Sequence, residues 1–255
     1  MNRIFSFSYG LRAPGFVSSK ASYYKLEPRA TLKIGIDSSS SIKTSYTMMN
    51  QFLHLIPSST AALPTDIWIP SSDKTKPQFS TQYAIGYFKN FKNNKIETSV
   101  ECYYKTMDHQ VLFGEGNKLS INADLDNGLV YGKGESYGVE LFIKKNTGRL
   151  NGWISYTLSR TNQQFKQLNF GKEFPFKYDR RHVVSITASY ALSKRWSVNG
   201  VFVFSSGSAY TVPTGRITSS NAGSIFEGTY YIYEGRNNYR LPPYHRLDIH
   251  SHTKK

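Results

Sequence analysis

Asp66 and Trp68 are the two residues whose types and spacing most suggest recognition of a small molecule. They lie two positions apart in the segment Pro64 to Pro70, inside the long connection from Leu53 to Gln78. A carboxylate beside an aromatic ring offers a hydrogen-bond acceptor and a stacking surface for a sugar or a chelate. The sequence therefore predicts Asp66 and Trp68 as candidate substrate-binding residues, and packing of the loop against itself is the competing interpretation.

Three histidines near the end of the sequence raise the question of a metal site. His250 and His252 lie two apart on one face of a predicted strand, with His245 nearby. No Asp, Glu or Cys stands at a spacing that would complete a coordination shell. The run from Gly132 to Gly134 lacks the spacing of a dinucleotide-binding loop and precedes a strand instead of a helix. The sequence predicts neither a metal site nor a bound cofactor.

The remaining reactive groups have structural explanations. Asp179, Arg180, Arg181 and His182 form a charged run where a loop enters a predicted strand, and pairing within the run would explain it;. The one cysteine, Cys102, alternates with apolar residues and behaves as a small hydrophobic side chain;. No nucleophile comes with a base and an orienting acid, and no carboxylate pair stands out as acid and base. The sequence argues against an enzyme.

The elements that position these residues are β-strands. In the segment Gly134 to Thr161, apolar side chains such as Tyr137 and Val139 alternate with polar ones, and the turn Asn146 to Gly148 separates two such arms;. The same alternation recurs along the chain and predicts about ten antiparallel strands. The predicted strands are Arg3 to Leu11, Tyr23 to Asp37, Ser41 to Phe52, Phe79 to Phe91, Lys95 to Met107, Glu135 to Lys145, Arg149 to Thr161, Arg181 to Leu192, Arg195 to Ser206 and Tyr244 to His252.

The connections between the predicted strands alternate between short and long. The long ones are Arg12 to Ser22, Leu53 to Gln78, Asp108 to Gly134, Asn162 to Arg180 and Gly207 to Pro243. All tight turns then lie at one end of the sheet, which is the layout of an outer-membrane β-barrel with short periplasmic turns and long extracellular loops. Trp196 and Tyr190 beside one turn are expected in one interfacial aromatic girdle, and Tyr137 in the other.

Composition fits a sheet whose apolar face has no protein core behind it. The 255 residues are 39% hydrophobic and 15% aromatic, and no apolar run is long enough for a transmembrane helix;. Alternation puts Val184 and Phe202 on the apolar side and Ser185 and Thr187 on a wet inner side. The net charge of +15 is scattered over turns and strand ends, so it does not indicate a nucleic-acid partner;.

Several sequence blocks follow one another along nearly the whole chain in the order that a known family has them. They include Leu26-Glu27-Pro28-Arg29, Leu63-Pro64-Thr65-Asp66-Ile67-Trp68-Ile69-Pro70, Gly152-Trp153-Ile154-Ser155-Tyr156, Tyr178-Asp179-Arg180-Arg181-His182 and Pro242-Pro243-Tyr244-His245-Arg246-Leu247-Asp248. They resemble the C-terminal part of the barrel of TonB-dependent outer-membrane receptors, particularly the Bacteroidetes type. The resemblance implies a barrel of about 22 strands with a plugged lumen in a Gram-negative outer membrane. It also implies surrounding lipid as a partner, and import of a scarce nutrient, glycan or metal chelate, energised by TonB through the plug.

Residues 1–255 are therefore expected to be one incomplete, antiparallel transmembrane β-barrel domain. No signal peptide, plug or energy-coupling segment is recognisable, and the closing strands of the family are not apparent, so the chain is predicted to be a fragment that does not transport by itself;. The alternative from another class is a soluble or surface-attached carbohydrate-binding β module. That module would need a second sheet to bury the apolar face.

Overall fold

The structure, a computed structural model, describes residues 4–57, 66–114, 128–219 and 228–253, and nearly all of its regular elements are strands. In chain order the strands are β1 (Phe5–Arg12), β2 (Gly15–Val17), β3 (Ser22–Tyr24), β4 (Glu27–Gly35), β5 (Ser40–Gln51), β6 (Leu53–Ile56), β7 (Ile67–Pro70), β8 (Gln78–Phe91), β9 (Ile96–Phe113), β10 (Leu129–Lys145), β11 (Leu150–Phe165), β12 (Phe174–Pro175), β13 (His182–Ala191), β14 (Trp196–Ser205), β15 (Ala209–Tyr210), β16 (Gly215–Ser219), β17 (Gly228–Ile232), β18 (Tyr239–Arg240) and β19 (Tyr244–Thr253). One short 3-10 helix, Asn169–Gly171, lies between β11 and β12. Within the described ranges no helix is long and apolar enough to cross a membrane.

Ten strands form one antiparallel sheet in the order β1-β4-β5-β8-β9-β10-β11-β13-β14-β19. The short strand β12 pairs with β11 beside this path. Neighbours in the sheet follow one another along the chain, apart from the small hairpins inserted in the loops. No pairing between β1 and β19 is present in the described residues, so the sheet is open there. The all-β, antiparallel architecture predicted from alternation is confirmed.

Short and long connections alternate as predicted. Tight turns join β4 to β5, β8 to β9, β10 to β11 and β13 to β14, and every other connection between the ten strands is long. The turn after β10 uses Gly148 with φ of 101°, a backbone conformation that side chains disfavour;. All the long connections consequently emerge at one end of the sheet, which we call the long-loop end.

One face of the sheet carries exposed apolar side chains. Register aligns five tyrosines of neighbouring strands in a single row, interrupted by Ala30: Tyr9, Tyr46, Tyr83, Tyr104 and Tyr137. The next positions on this face toward the turns are mainly apolar, as at Ile85 and Val139, whereas toward the long loops polar residues such as Thr81 and Glu135 alternate with apolar ones such as Leu11 and Met48. The tyrosine row therefore lies where polar side chains begin to enter the apolar band of this face.

Strands β9 and β10 are longer than predicted, because a bulge interrupts the alternation of apolar and polar residues. Register passes from Met107 opposite Gly134 to Gln110 opposite Gly132, so β9 holds one extra residue there. His109 sits in this bulge with φ of 56°;. On the turn side of the bulge, the even-numbered residues of β9 lie on the apolar face. On the long-loop side of the bulge, the odd-numbered residues lie on that face. The sequence pattern therefore predicted an end at Met107, although β9 ends at Phe113.

Two buried hydrophobic clusters lie at the long-loop end, on opposite faces of extended β9 and β10. The outer loop core lies on the apolar-face side and the inner loop core on the polar-face side. The outer loop core consists of Ile56, Ile69, Val111 and Leu129. The inner loop core consists of Leu112, Phe165, Leu168 and Phe174. The long connections are thus packed against the sheet and carry their own small cores.

Hairpins too short to be read from alternation extend this packing. The β2–β3 hairpin places the ring of Phe16 on that of Phe52, with centroids 5.5 Å apart. The hydroxyl of Tyr23 in the same hairpin donates a hydrogen bond to the carbonyl oxygen of Ser72, 2.7 Å away. Two loops distant in sequence therefore form one layer outside the sheet.

Candidate functional site

Asp66 joins two long connections that are far apart in sequence. Its Oδ1 accepts a hydrogen bond from Lys177 Nζ at 3.2 Å, and its Oδ2 accepts one from the hydroxyl of Tyr178. Burial, followed by this hydrogen bond to Asp66, raises the pKa of Tyr178 to about 12. Asp66 thus packs one loop against another, and its contact with a ligand stays a prediction. Of the predicted segment, Pro64 and Thr65 lie outside the described residues.

Trp68 lies on the face of the β6–β7 hairpin that points away from the sheet. Ile67 and Ile69, its neighbours in β7, pack with the outer loop core, so strand alternation puts Trp68 on the opposite face of the hairpin;. Its side chain is 60% exposed. The two main grooves of the described residues are lined by neither Asp66 nor Trp68. Ligand contact by Trp68 also stays a prediction.

The charged run at the entry to β13 is organised around Asp179, whose side chain is 1% exposed. Asp179 accepts a hydrogen bond from the backbone N–H of Thr161 at 2.7 Å and forms an ion pair with Arg240. Arg240 Nη1 also donates to the carbonyl oxygens of Asp179 at 2.9 Å and Gly207 at 3.2 Å. Within the run, Arg181 Nη2 lies 4.0 Å from Asp179 Oδ2, so the predicted pairing is present. The principal partner of Asp179 is Arg240, which comes from another loop.

His54 anchors the β6–β7 hairpin from its buried face. The imidazole is fully buried, and its Nε2 lies 2.9 Å from the hydroxyl oxygen of Ser71. Burial, with a smaller effect of His109, lowers the pKa of His54 to about 4. The imidazole is therefore neutral at neutral pH, and protonation would place a buried imidazolium charge on the β6–β7 hairpin.

The polar face of the sheet contains a recess lined by three glutamates, Glu97, Glu101 and Glu140. Glu101 of β9 and Glu140 of β10 stand directly opposite each other in the register. Together with the rings of Phe88 and Phe142 they line a recess of about 470 Å³. Gly86 makes room for it, because a Cβ at that position would lie 2.7 Å from Cγ of Glu101.

The carboxylates of Glu101 and Glu140 form no ion pair within the described residues. Two like charges directly opposite each other on neighbouring strands repel. Ser99 Oγ donates a hydrogen bond to Glu101 Oε1 at 3.2 Å, but no ion pair within 4.0 Å neutralises either carboxylate in the described part of the chain. The nearby ammonium of Lys43 lies over the ring of Phe88, 4.0 Å from its centroid. A positively charged group entering the recess would relieve the repulsion.

The histidines of β19 do not converge. His245 and the pair formed by His250 and His252 lie on opposite faces of the strand by alternation, and all three are exposed;. No group of three His, Cys, Asp or Glu residues comes together as a metal site in the described ranges. Cys102 is exposed on the apolar face beside Ile85, as its alternation with apolar residues predicted.

Comparison with known proteins decides what the sheet is. A family model described as "TonB dependent receptor-like, beta-barrel" matches residues 3–253. The chain belongs to this family of TonB-dependent receptor barrels. In an outer-membrane barrel the apolar face meets lipid and the polar face lines the lumen. In that arrangement the tyrosine row would lie on the lipid side, and the Glu101–Glu140 recess would open into the lumen.

Solved structures share the receptor fold over nearly the whole chain. The ferripyoverdine receptor of Pseudomonas aeruginosa matches with a TM-score of 0.61 and 12% identity over 97% of this chain and 30% of that one. The FrpB iron transporter from Neisseria meningitidis matches with 0.60 and 15% over 98% and 36%. The Fiu receptor from E. coli K12 matches with 0.57 and 13% over 99% and 43%. The chain thus spans less than half the length of these receptors. No curated protein matches the sequence.

Sequence reasoning identified the strands of the barrel sheet and missed the recess on its polar face. Alternation already places Glu140 on the polar face of its strand, and the same rule places Glu101 there;. Only the register, however, sets the two carboxylates opposite each other, and register is fixed by the bulges and turns of the folded sheet;. The Asp179–Arg240 pair likewise joins residues that no sequence motif connects.

Proposed function

We propose that this chain forms part of the barrel wall of an outer-membrane receptor that captures a scarce ligand in its extracellular loops for TonB-energised import. The observation that carries the proposal is the sorting of every long connection to one end, where loop cores and ion pairs fix the loops. Function usually resides in such loops when a rigid sheet positions them. The parts that couple to TonB would lie in a plug inside the lumen.

A metal chelate is the ligand class with most support. Among the structural neighbours, one is a receptor bound to ferripyoverdine, one is a ferric-catecholate import receptor and one is an iron transporter. A nutrient or a glycan is the other ligand class that the receptor layout allows. A carbohydrate-binding module is disfavoured, because no second sheet covers the apolar face in the described residues.

The Glu101–Glu140 recess supplies a docking point for the plug. A plug side chain with a guanidinium or ammonium group would sit between the two carboxylates and form charge-assisted hydrogen bonds with both. The flanking rings of Phe88 and Phe142 would exclude water and strengthen the pairing;. In this arrangement the barrel wall holds the plug until energy from TonB displaces it.

Gene deletion tests the import function. The strain without the gene is compared with its parent for growth and radiolabelled uptake on individual ferric chelates and individual glycans, each as the limiting nutrient. We expect loss of growth and uptake on one class of ligand, and the same loss when a protonophore removes the energy source in the parent. Unchanged uptake of every ligand would contradict the import proposal.

Charge removal tests plug docking separately. Glu101→Gln combined with Glu140→Gln is expected to reduce energised uptake about tenfold or more while ligand binding at the cell surface stays intact. Glu135→Gln is the matched control, because Glu135 lies on the lipid-facing side of the same strand. Full uptake by the double variant would exclude the carboxylate pair from coupling.

A further inference from the structure

A groove on the lipid-facing side of the sheet lies on the face opposite the Glu101–Glu140 recess. It has a volume of about 580 Å³ and runs across β4, β5, β8 and β9, with Phe7 of β1 at one end. It lies on the turn side of the tyrosine row, between that row and the next row of side chains in the apolar band. From this geometry we infer that the groove holds one acyl chain of a membrane lipid in an ordered position.

Short side chains create the groove. Ala30 interrupts the tyrosine row between Tyr9 and Tyr46. In the next row toward the turns, Thr44 stands between Leu32 and Ile85, and Cys102 follows Ile85. Neighbouring strands are about 4.8 Å apart, so the two large residues that flank one small residue are carried by strands about 10 Å apart, and the space above the small residue stays open.

The walls are aromatic and aliphatic, which selects hydrocarbon. The ring centroids of Tyr46 and Tyr83 lie 5.2 Å apart and form one side, and Phe7, Leu32 and Ile85 add further apolar wall. No charged side chain lines the groove. A polar head group or a cationic peptide would therefore find no ionic partner here, whereas a saturated chain gains dispersion contacts on three sides.

Continuity with the membrane surface identifies the occupant. The groove belongs to the apolar band that meets lipid in an outer-membrane barrel, and an empty groove would forfeit contacts that the surrounding hydrocarbon can supply. Polar side chains begin to enter the band at the tyrosine row beside it, so the chain would descend from a lipid of the leaflet at the long-loop end. This inference rests on membrane placement and is independent of ligand import.

Photolabelling tests the lipid position. The membrane-inserted protein, with Cys102→Ser in every sample so that the thiol does not bias the reaction, is reconstituted in phosphatidylcholine vesicles. A small fraction of the phosphatidylcholine carries a diazirine on one acyl chain, and labelled residues are mapped by mass spectrometry after illumination. We expect labelling of Thr44, Tyr46 and Ile85 to exceed that of the flat surface around Ile143 and Ile154 several-fold.

Filling the groove provides the decisive comparison. Thr44→Phe and, from the neighbouring strand, Ala30→Leu should each reduce groove labelling to the level of the flat surface. Val184→Phe adds similar bulk elsewhere on the lipid-facing side and should leave the labelling pattern unchanged. Heat-modifiable migration on a gel verifies that each variant is folded. One folded filling variant is enough for the comparison. Uniform labelling of the parent protein, or enrichment that survives filling, would overturn the proposal.

Discussion

Asp179 and Arg240 form an ion pair that ties the connection before β13 to the connection before β19. The carboxylate is nearly fully buried, and the backbone N–H of Thr161 donates to it at 2.7 Å. Arg240 also binds two backbone carbonyl oxygens, so both side chains satisfy several partners at once. Two extracellular loops are therefore held to the top of β11 by one buried carboxylate.

Asp179→Asn is expected to loosen both loops. Removing one member of a buried ion pair leaves the other charge unpaired and typically costs about 3 to 5 kcal/mol. Because the Arg240 side chain is one-third exposed, we expect the lower end of this range. Hydrogen exchange should accelerate in residues 174–179 and 207–219. The exposed pair Arg246–Asp248 provides the control, and Asp248→Asn should change neither segment.

Asp66→Asn distinguishes loop packing from ligand contact at that position. A hydrogen bond to a charged group contributes about 1.5 to 3 kcal/mol, so losing the partly buried bond from Lys177 and the exposed bond from Tyr178 should accelerate exchange in β7 and β12 about tenfold without ligand;. Trp68→Ala should leave this protection unchanged, because Trp68 is exposed on the outer face of its hairpin. Reduced ligand binding by Asp66→Asn with unaltered exchange would instead indicate direct contact.

Gly132→Ala is expected to disrupt the inner loop core. A Cβ at Gly132 would lie 2.4 Å from the carbonyl oxygen of Gln164 and 2.6 Å from the ring of Phe165. Overpacking of this kind costs about 1 to 3 kcal/mol, because backbone or ring must move. Gly200→Ala is the control, since its Cβ would meet only one atom, at an ordinary 3.9 Å. Equal protection of residues 165–175 in both variants would refute the argument.

The barrel sheet could be predicted from sequence because each strand and each turn is encoded by residues close together in the chain. Alternation defines each strand, and the lengths of the connections define the two ends of the sheet. The prediction failed at Met107, where the bulge with His109 reverses which residues face lipid. It also missed the Asp179–Arg240 pair, because pairing between loops depends on how they pack above the sheet.

Acidification is expected to release the β6–β7 hairpin through His54. The pKa of His54 is about 4 in the folded protein and 6.5 when the side chain is free, so the unfolded hairpin binds more protons between these values. Stability of the hairpin is then complete above about pH 6.5 and falls by about 1.4 kcal/mol for each pH unit below it, down to about pH 4. His54→Phe keeps an aromatic ring but loses the titrating group.

Hydrogen exchange in residues 53–56 and 67–70 measures this release directly. At pH 5, after correction for intrinsic exchange chemistry, these segments of the parent protein should be about tenfold or more less protected than at pH 7.5. Protection of the same segments in His54→Phe should be independent of pH. His245→Phe is the matched control, because His245 is exposed on β19, and it should retain the pH dependence of the parent. A parent hairpin equally protected at both pH values would show that the buried imidazole does not control it.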